Sequence, residues 1–139
     1  MNWPATLIGL AGSLMTVLGS IHLLYTLRGQ RLEPTDPALI AAMRRTPMHI
    51  TRETDMWRAW LGFNASHSLG AIGFGTLLVG VATSDARLFA NHPLLAIWAL
   101  LMVAGYLWIA RTCWFSVPRR GLLIALCLLV TGLLALLLS

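Results

Sequence analysis

Four stretches of this chain hold no charged side chain: residues 1–27, 59–84, 88–110 and 121–139. The hydrocarbon core of a bilayer is about 30 Å thick, and about 20 mainly apolar residues cross it as an α-helix. A backbone in lipid must satisfy its own N–H and C=O groups, which a helix does within one segment. The stretches therefore predict an all-α protein, an antiparallel four-helix transmembrane bundle with spans at about 4–27, 56–83, 93–113 and 121–138. No repeat or low-complexity segment interrupts the pattern, so residues 1–139 read as one integral membrane domain. Only 11% of the residues are charged, well below the usual quarter of a soluble domain. A water-soluble chain of this make-up would lack the polar surface to cover its core.

The charges that remain set an orientation. All ten basic residues are arginines, and nine fall in two connections. The first connection holds Arg28, Arg31, Arg44, Arg45, Arg52 and Arg58; the third holds Arg111, Arg119 and Arg120; the second holds only Arg87. Short arginine-rich loops stay in the cytoplasm, which predicts a multi-pass protein of a bacterial inner membrane with both termini periplasmic. The opening Met1-Asn2-Trp3-Pro4 lacks a basic leader and a small-residue cleavage site, so it reads as an uncleaved first span with Trp3 at the interface. A net charge of +5 does not make a nucleic-acid binder here, because that needs a basic face clear of the membrane. The partners expected are the lipid bilayer, an apolar small molecule, and a membrane protein or a second copy of the chain.

The first connection is long enough for an element of its own. Asp36-Pro37 is a cap and first-turn pair, and Arg44-Arg45 at the far end suit the helix dipole. Leu39, Ile40 and Met43 share a face, which predicts a short interfacial helix in the first cytoplasmic loop, stopped by Pro47. Asn91 or His92 is expected to cap the third span ahead of Pro93. The link 116–121, with Pro118, turns the chain back into the fourth span. In the second span Gly62, Ser66, Gly70 and Gly73 recur at helical spacing. Small residues so placed let backbones approach in lipid, so this face is expected against the first span at Gly12, Thr16 and Gly19.

Polar residues inside the spans mark the candidate site. By steps of three and four, Glu53, Trp57, Trp60, Asn64 and His67 fall on one helical face. At about 1.5 Å per residue, Asn64 lies about 10 Å and His67 about 15 Å inside the boundary. On the first span His22 lies about 8 Å inside, with Tyr25 and Thr26 nearby. Polar side chains at such depth face the bundle interior or a cavity. The sequence thus places a ligand niche of His22, Tyr25, Trp57, Trp60, Asn64 and His67 between the first two spans. Three uses stay open: a hydrogen-bonded clasp between helices, a binding niche, or ligation of a metal or haem. Against haem, the two imidazoles differ in depth by about 7 Å; against a metal, no carboxylate lies inside a span.

Missing residues exclude other activities. A proton-coupled exporter needs a membrane-embedded carboxylate, and a membrane thiol oxidoreductase needs Cys-x-x-Cys. Cys113 and Cys127 are fourteen residues apart, with no disulfide expected on the reducing side. Ser66 and Ser68 flank His67 but point to different faces, so no hydrolase arrangement is present.

The segment Trp57-Arg58-Ala59-Trp60-Leu61-Gly62-Phe63-Asn64-Ala65-Ser66-His67, with Gly19-Ser20-Ile21-His22 before it, resembles a family of small bacterial four-span membrane proteins of unknown function. The likeness covers the first two spans and implies neither substrate nor cofactor. A fainter likeness to sterol-isomerase-like four-span bundles rests on a tryptophan-lined polar pocket. The expected role is a non-catalytic module binding a partner or apolar ligand through the niche. The alternatives are a membrane enzyme of isomerase type on a lipid-like substrate, with His67 or Glu53 as general base, or a haem- or quinone-binding protein.

Overall fold

The computed structural model describes residues 3–28 and 30–138. Met1 and Asn2, which carry part of the reading of the N-terminus, and Ser139 lie outside the described residues. Four long helices form: α1 (Trp3–Arg28), α3 (Met56–Asp85), α5 (Pro93–Cys113) and α6 (Ser116–Leu137). Each is long and apolar enough to cross a membrane, the make-up of a multi-pass membrane protein. Between α1 and α3 come a 3₁₀ turn at Gln30–Leu32 and the short α2 (Pro37–Arg45); α4 (Leu88–Asn91) is a single turn before α5. Among the described residues there is no strand, only an isolated bridge between Pro47 and Asp55.

Helix ends follow local chemistry, with two departures from expectation. Asp36 caps α2, its Oδ1 accepting from the Ala38 N–H at 2.8 Å, and Pro37 occupies the first turn. Asp55 caps α3 likewise, accepting from the Arg58 N–H at 2.8 Å. The expected side-chain cap on α5 is absent: Asn91 ends α4, and His92 stands before Pro93 with no side-chain cap bond. The fourth span starts earlier than expected. The link is only Trp114-Phe115, and Pro118 lies in the first turn of α6, where a missing N–H removes nothing the helix would have used.

The contacts gather into two compact units. Among the described residues, the first comprises 3–18 and 71–138. Its interior is layered from Ile8, Ala11 and Met15 of α1, Phe74 and Leu78 of α3, Phe89 of α4, Ala99 and Val103 of α5, and Ala125 and Leu129 of α6. Ala11, Ala99, Ala110 and Ala125 are wholly buried. Such small side chains bring helices close where dispersion drives association. Gly12 of α1 lies close against Gly75 of α3: a β-carbon on either would stand within 2.6 Å of the other's carbonyl oxygen. Phe74 meets Trp98 edge to face at 5.3 Å.

The second unit, residues 19–70, holds the end of α1, the connection with α2, and the start of α3. The connection is closed on itself where the Met56 N–H donates to the Thr46 carbonyl at 2.9 Å. The Pro47–Asp55 bridge lies beside that bond. On α2, Ile40 and Met43 are half-buried and Leu39 is exposed, while Arg44 and Arg45 end the helix as its dipole favours.

Candidate functional site

The second unit brings His22, Asn64 and His67 together. His22 Nε2 lies 3.0 Å from Asn64 Oδ1. The Asn64 amide nitrogen donates to the Trp60 carbonyl at 2.8 Å, which leaves Oδ1 as the acceptor facing histidine. A carboxamide oxygen only accepts, so His22 donates through Nε2–H. The His67 ring meets the His22 ring edge to face, with centroids 5.6 Å apart and planes at 73°.

The expected depth difference between the two histidines is closed by side-chain direction. A helical Cα–Cβ bond leans toward the N-terminus of its own helix. In antiparallel helices the His22 ring therefore leans deeper and the His67 ring leans back toward the connection. Counting rise alone overstates the separation. The Nε2 that a haem iron would take from His22 is the atom bonded to Asn64, and among the described residues no three His, Cys, Asp or Glu side chains gather as a metal site. Cys113 and Cys127 are free thiols.

Two hydroxyls complete the polar cluster. Thr26 donates to the His22 carbonyl and Ser68 to the Asn64 carbonyl, each at 2.8 Å. Ser68 is wholly buried, and its place was readable: it stands four residues after Asn64, on the same face. Among the described residues, no buried side-chain nitrogen or oxygen lacks a partner. Replacing Asn64 with leucine should lower stability in detergent by about 1 to 2 kcal/mol, since it deletes a cross-helix bond and strands the His22 donor. An unchanged unfolding midpoint would show that the bond contributes nothing to stability.

Nearer the connection the site becomes aromatic and basic. Trp57 and Trp60 stack at 5.1 Å with planes 21° apart. The Arg44 guanidinium lies over the Trp57 ring at 5.3 Å, and that of Arg31 over the Tyr25 ring at 4.9 Å. Arg31 also donates to the Tyr25 hydroxyl at 2.9 Å. Neither arginine seat was readable from helical spacing, because each depends on the path of the connection. Glu53 does not join this face. It precedes α3 in a bend, its side chain exposed and its N–H donating to Thr51 Oγ1, so helical steps from Trp57 do not reach it.

The small residues divide. Gly12 packs against Gly75, a glycine outside the expected stripe, with Thr16 beside it, and Gly19 is buried. Gly62, Ser66, Gly70 and Gly73 are exposed, and a β-carbon at Gly62 or Gly73 would meet nothing within 4 Å. The expectation that this stripe packs on the first span is corrected. Asn64 and Gly75 lie two residues after Gly62 and Gly73, about 200° around the helix. The side carrying Asn64 and Ser68 is the one turned inward, because their polar groups need partners that lipid lacks.

No protein-family model matches this sequence, and no curated protein and no solved structure is significantly similar to it.

Proposed function

We propose that this chain is a non-catalytic module of a bacterial inner membrane, akin to the small four-span family its second span resembles. In this reading it holds an apolar ligand, or the apolar part of a membrane partner, against the face of Trp57, Trp60 and His67. The observation that carries the reading is the closure of the polar cluster. His22 Nε2 is bonded to Asn64, both ends of the Asn64 amide are engaged, and Thr26 and Ser68 donate to their own helices. A general base needs a group aimed at substrate and commonly a partner that orients it. Glu53, the carboxylate proposed for chemistry, stands outside the helix and exposed. What the site offers instead is a stacked indole pair with apolar faces beside a floor in which His22, Asn64, Thr26 and Ser68 are hydrogen-bonded, the make-up of a small-molecule niche.

Native mass spectrometry and an absorbance spectrum of the purified protein test this. Wild type should carry an apolar species of defined mass that Trp60→Ala loses while its helical content and unfolding midpoint are retained. A haem or quinone would declare itself in the same spectrum. If no species accompanies wild type and Trp60→Ala changes nothing, the cluster is only a clasp between helices. Turnover of an isoprenoid or sterol-like substrate, abolished in His67→Ala, would replace this reading with the isomerase-type enzyme.

A further inference from the structure

The connection end of the α1–α3 pair holds six arginines, and the ion pair found among the described residues there is Arg58 with Asp55 at 3.9 Å. The nearby carboxylates are otherwise directed: Asp36 caps α2 and Asp55 caps α3, while Glu33 and Glu53 lie within ion-pair distance of no described arginine. Arg31 and Arg44 are set apart from the rest because each is seated over an aromatic ring. Stacking costs a guanidinium little, since it is weakly hydrated and its donors lie at its edge. It also fixes a side chain that would otherwise lose much freedom on binding.

The two seats stand at one end of the helix pair. From the His22–Asn64 bond, Tyr25 lies about 4 to 5 Å and Trp57 about 10 Å along the axes toward the connection. Rings at the ends of membrane helices occupy the headgroup layer, where phosphate is the prevailing anion, and guanidinium binds phosphate through paired N–H donors. We propose that Arg31 and Arg44 are two seats for the headgroup phosphates of anionic phospholipid at this end of the helix pair, with the acyl chains at Arg44 lying beside the Trp57–Trp60 stack. This rests on the reading of that stack as a ligand face and names the polar end of the ligand.

The test uses the full chain in detergent with phosphatidylglycerol or phosphatidylcholine added, read by native mass spectrometry. Phosphatidylglycerol should be retained at least tenfold more strongly than phosphatidylcholine by wild type, and this preference should disappear in R31Q/R44Q. R28Q/R52Q removes the same charge from exposed positions and should keep it. R31K/R44K, which keeps charge but loses the paired geometry, should bind several-fold more weakly than wild type. Unfolding midpoints of all variants confirm that each is folded; should R31Q/R44Q fail to fold, the several-fold weakening in R31K/R44K decides, and undiminished binding there would overturn the proposal. Equal loss in both glutamine variants would mean diffuse attraction and overturn the site, as would absence of any preference in wild type. Displacement by millimolar inorganic phosphate would overturn the lipid assignment in favour of a soluble phosphate. The apolar species lost in Trp60→Ala is scored in the same spectra. Its persistence without a lipid preference would leave the earlier reading standing and remove only this one.

Discussion

Gly75→Leu should abolish the native fold, and Gly75→Ala should already damage it severely. A β-carbon at Gly75 would lie 2.5 Å from the Gly12 carbonyl oxygen, 2.5 Å from Thr16 Oγ1 and 2.7 Å from the Thr16 nitrogen. Two of these atoms are backbone, and the third is held by its bond to the Gly12 carbonyl at 3.0 Å. None can swing aside as a flexible side chain would, so α1 and α3 must separate. Over-packing a well-filled core costs about 1 to 3 kcal/mol, and more where backbone must move. For alanine the loss should reach the top of that range, measured as the unfolding midpoint in detergent. Leucine should leave aggregated or polydisperse protein on size exclusion. Gly62→Leu and Gly73→Leu, which meet open space, should change stability by less than about 0.5 kcal/mol. Damage from Gly73→Leu equal to that from Gly75→Leu would mean that the faces of α3 have been assigned the wrong way round.

That pair of glycines also shows what a single sequence conveys. The helices and their number follow from unbroken apolar length, which depends on composition alone. The polar cluster was legible because Asn64 and His67 need partners at any depth, and His22 stands at matching depth on the neighbouring span. The packing face was harder. The sequence pattern sets both the Asn64 side and the Gly62–Gly73 side against the first span, although about 200° of helix rotation separates them. Only one side could face it, and the cost of polar groups in lipid decides for Asn64. Gly75 has only Ala71 four positions before it as a small neighbour and lies off the Gly62–Gly73 line; the facing Gly12 reveals its role. The arginine seats were not legible at all. They depend on the turn at Gln30–Leu32 and on how α2 lies, and connections carry no periodicity to betray their path.

Orientation gives the other large effect, because its outcome is all or none. The proposed orientation sets the first and third connections on the cytoplasmic side, and four candidate spans make it testable at two positions. Aromatic residues do not choose between the sides: Trp57, Trp60 and Trp114 stand at one end of their helices, Trp3 and Trp98 toward the other, and belts form at both interfaces. The proposed orientation rests on the arginines, nine of ten of which fall in the first and third connections. Carrying one positive charge outward against the membrane potential costs about 2.3 kcal/mol per 100 mV, so the inverted topology is disfavoured at every one of those positions. In a C113S/C127S background, an impermeant maleimide on intact cells should label a cysteine introduced at Leu138 and spare one at Gln30. Both should react once the membrane is opened, which shows that Gln30 is shielded by the bilayer and not by the protein, as its exposure requires. Labelling at Gln30 and protection at Leu138 would place the arginine-rich connections outside. The Arg31–Arg44 seats would then face the opposite leaflet, with their chemistry unchanged.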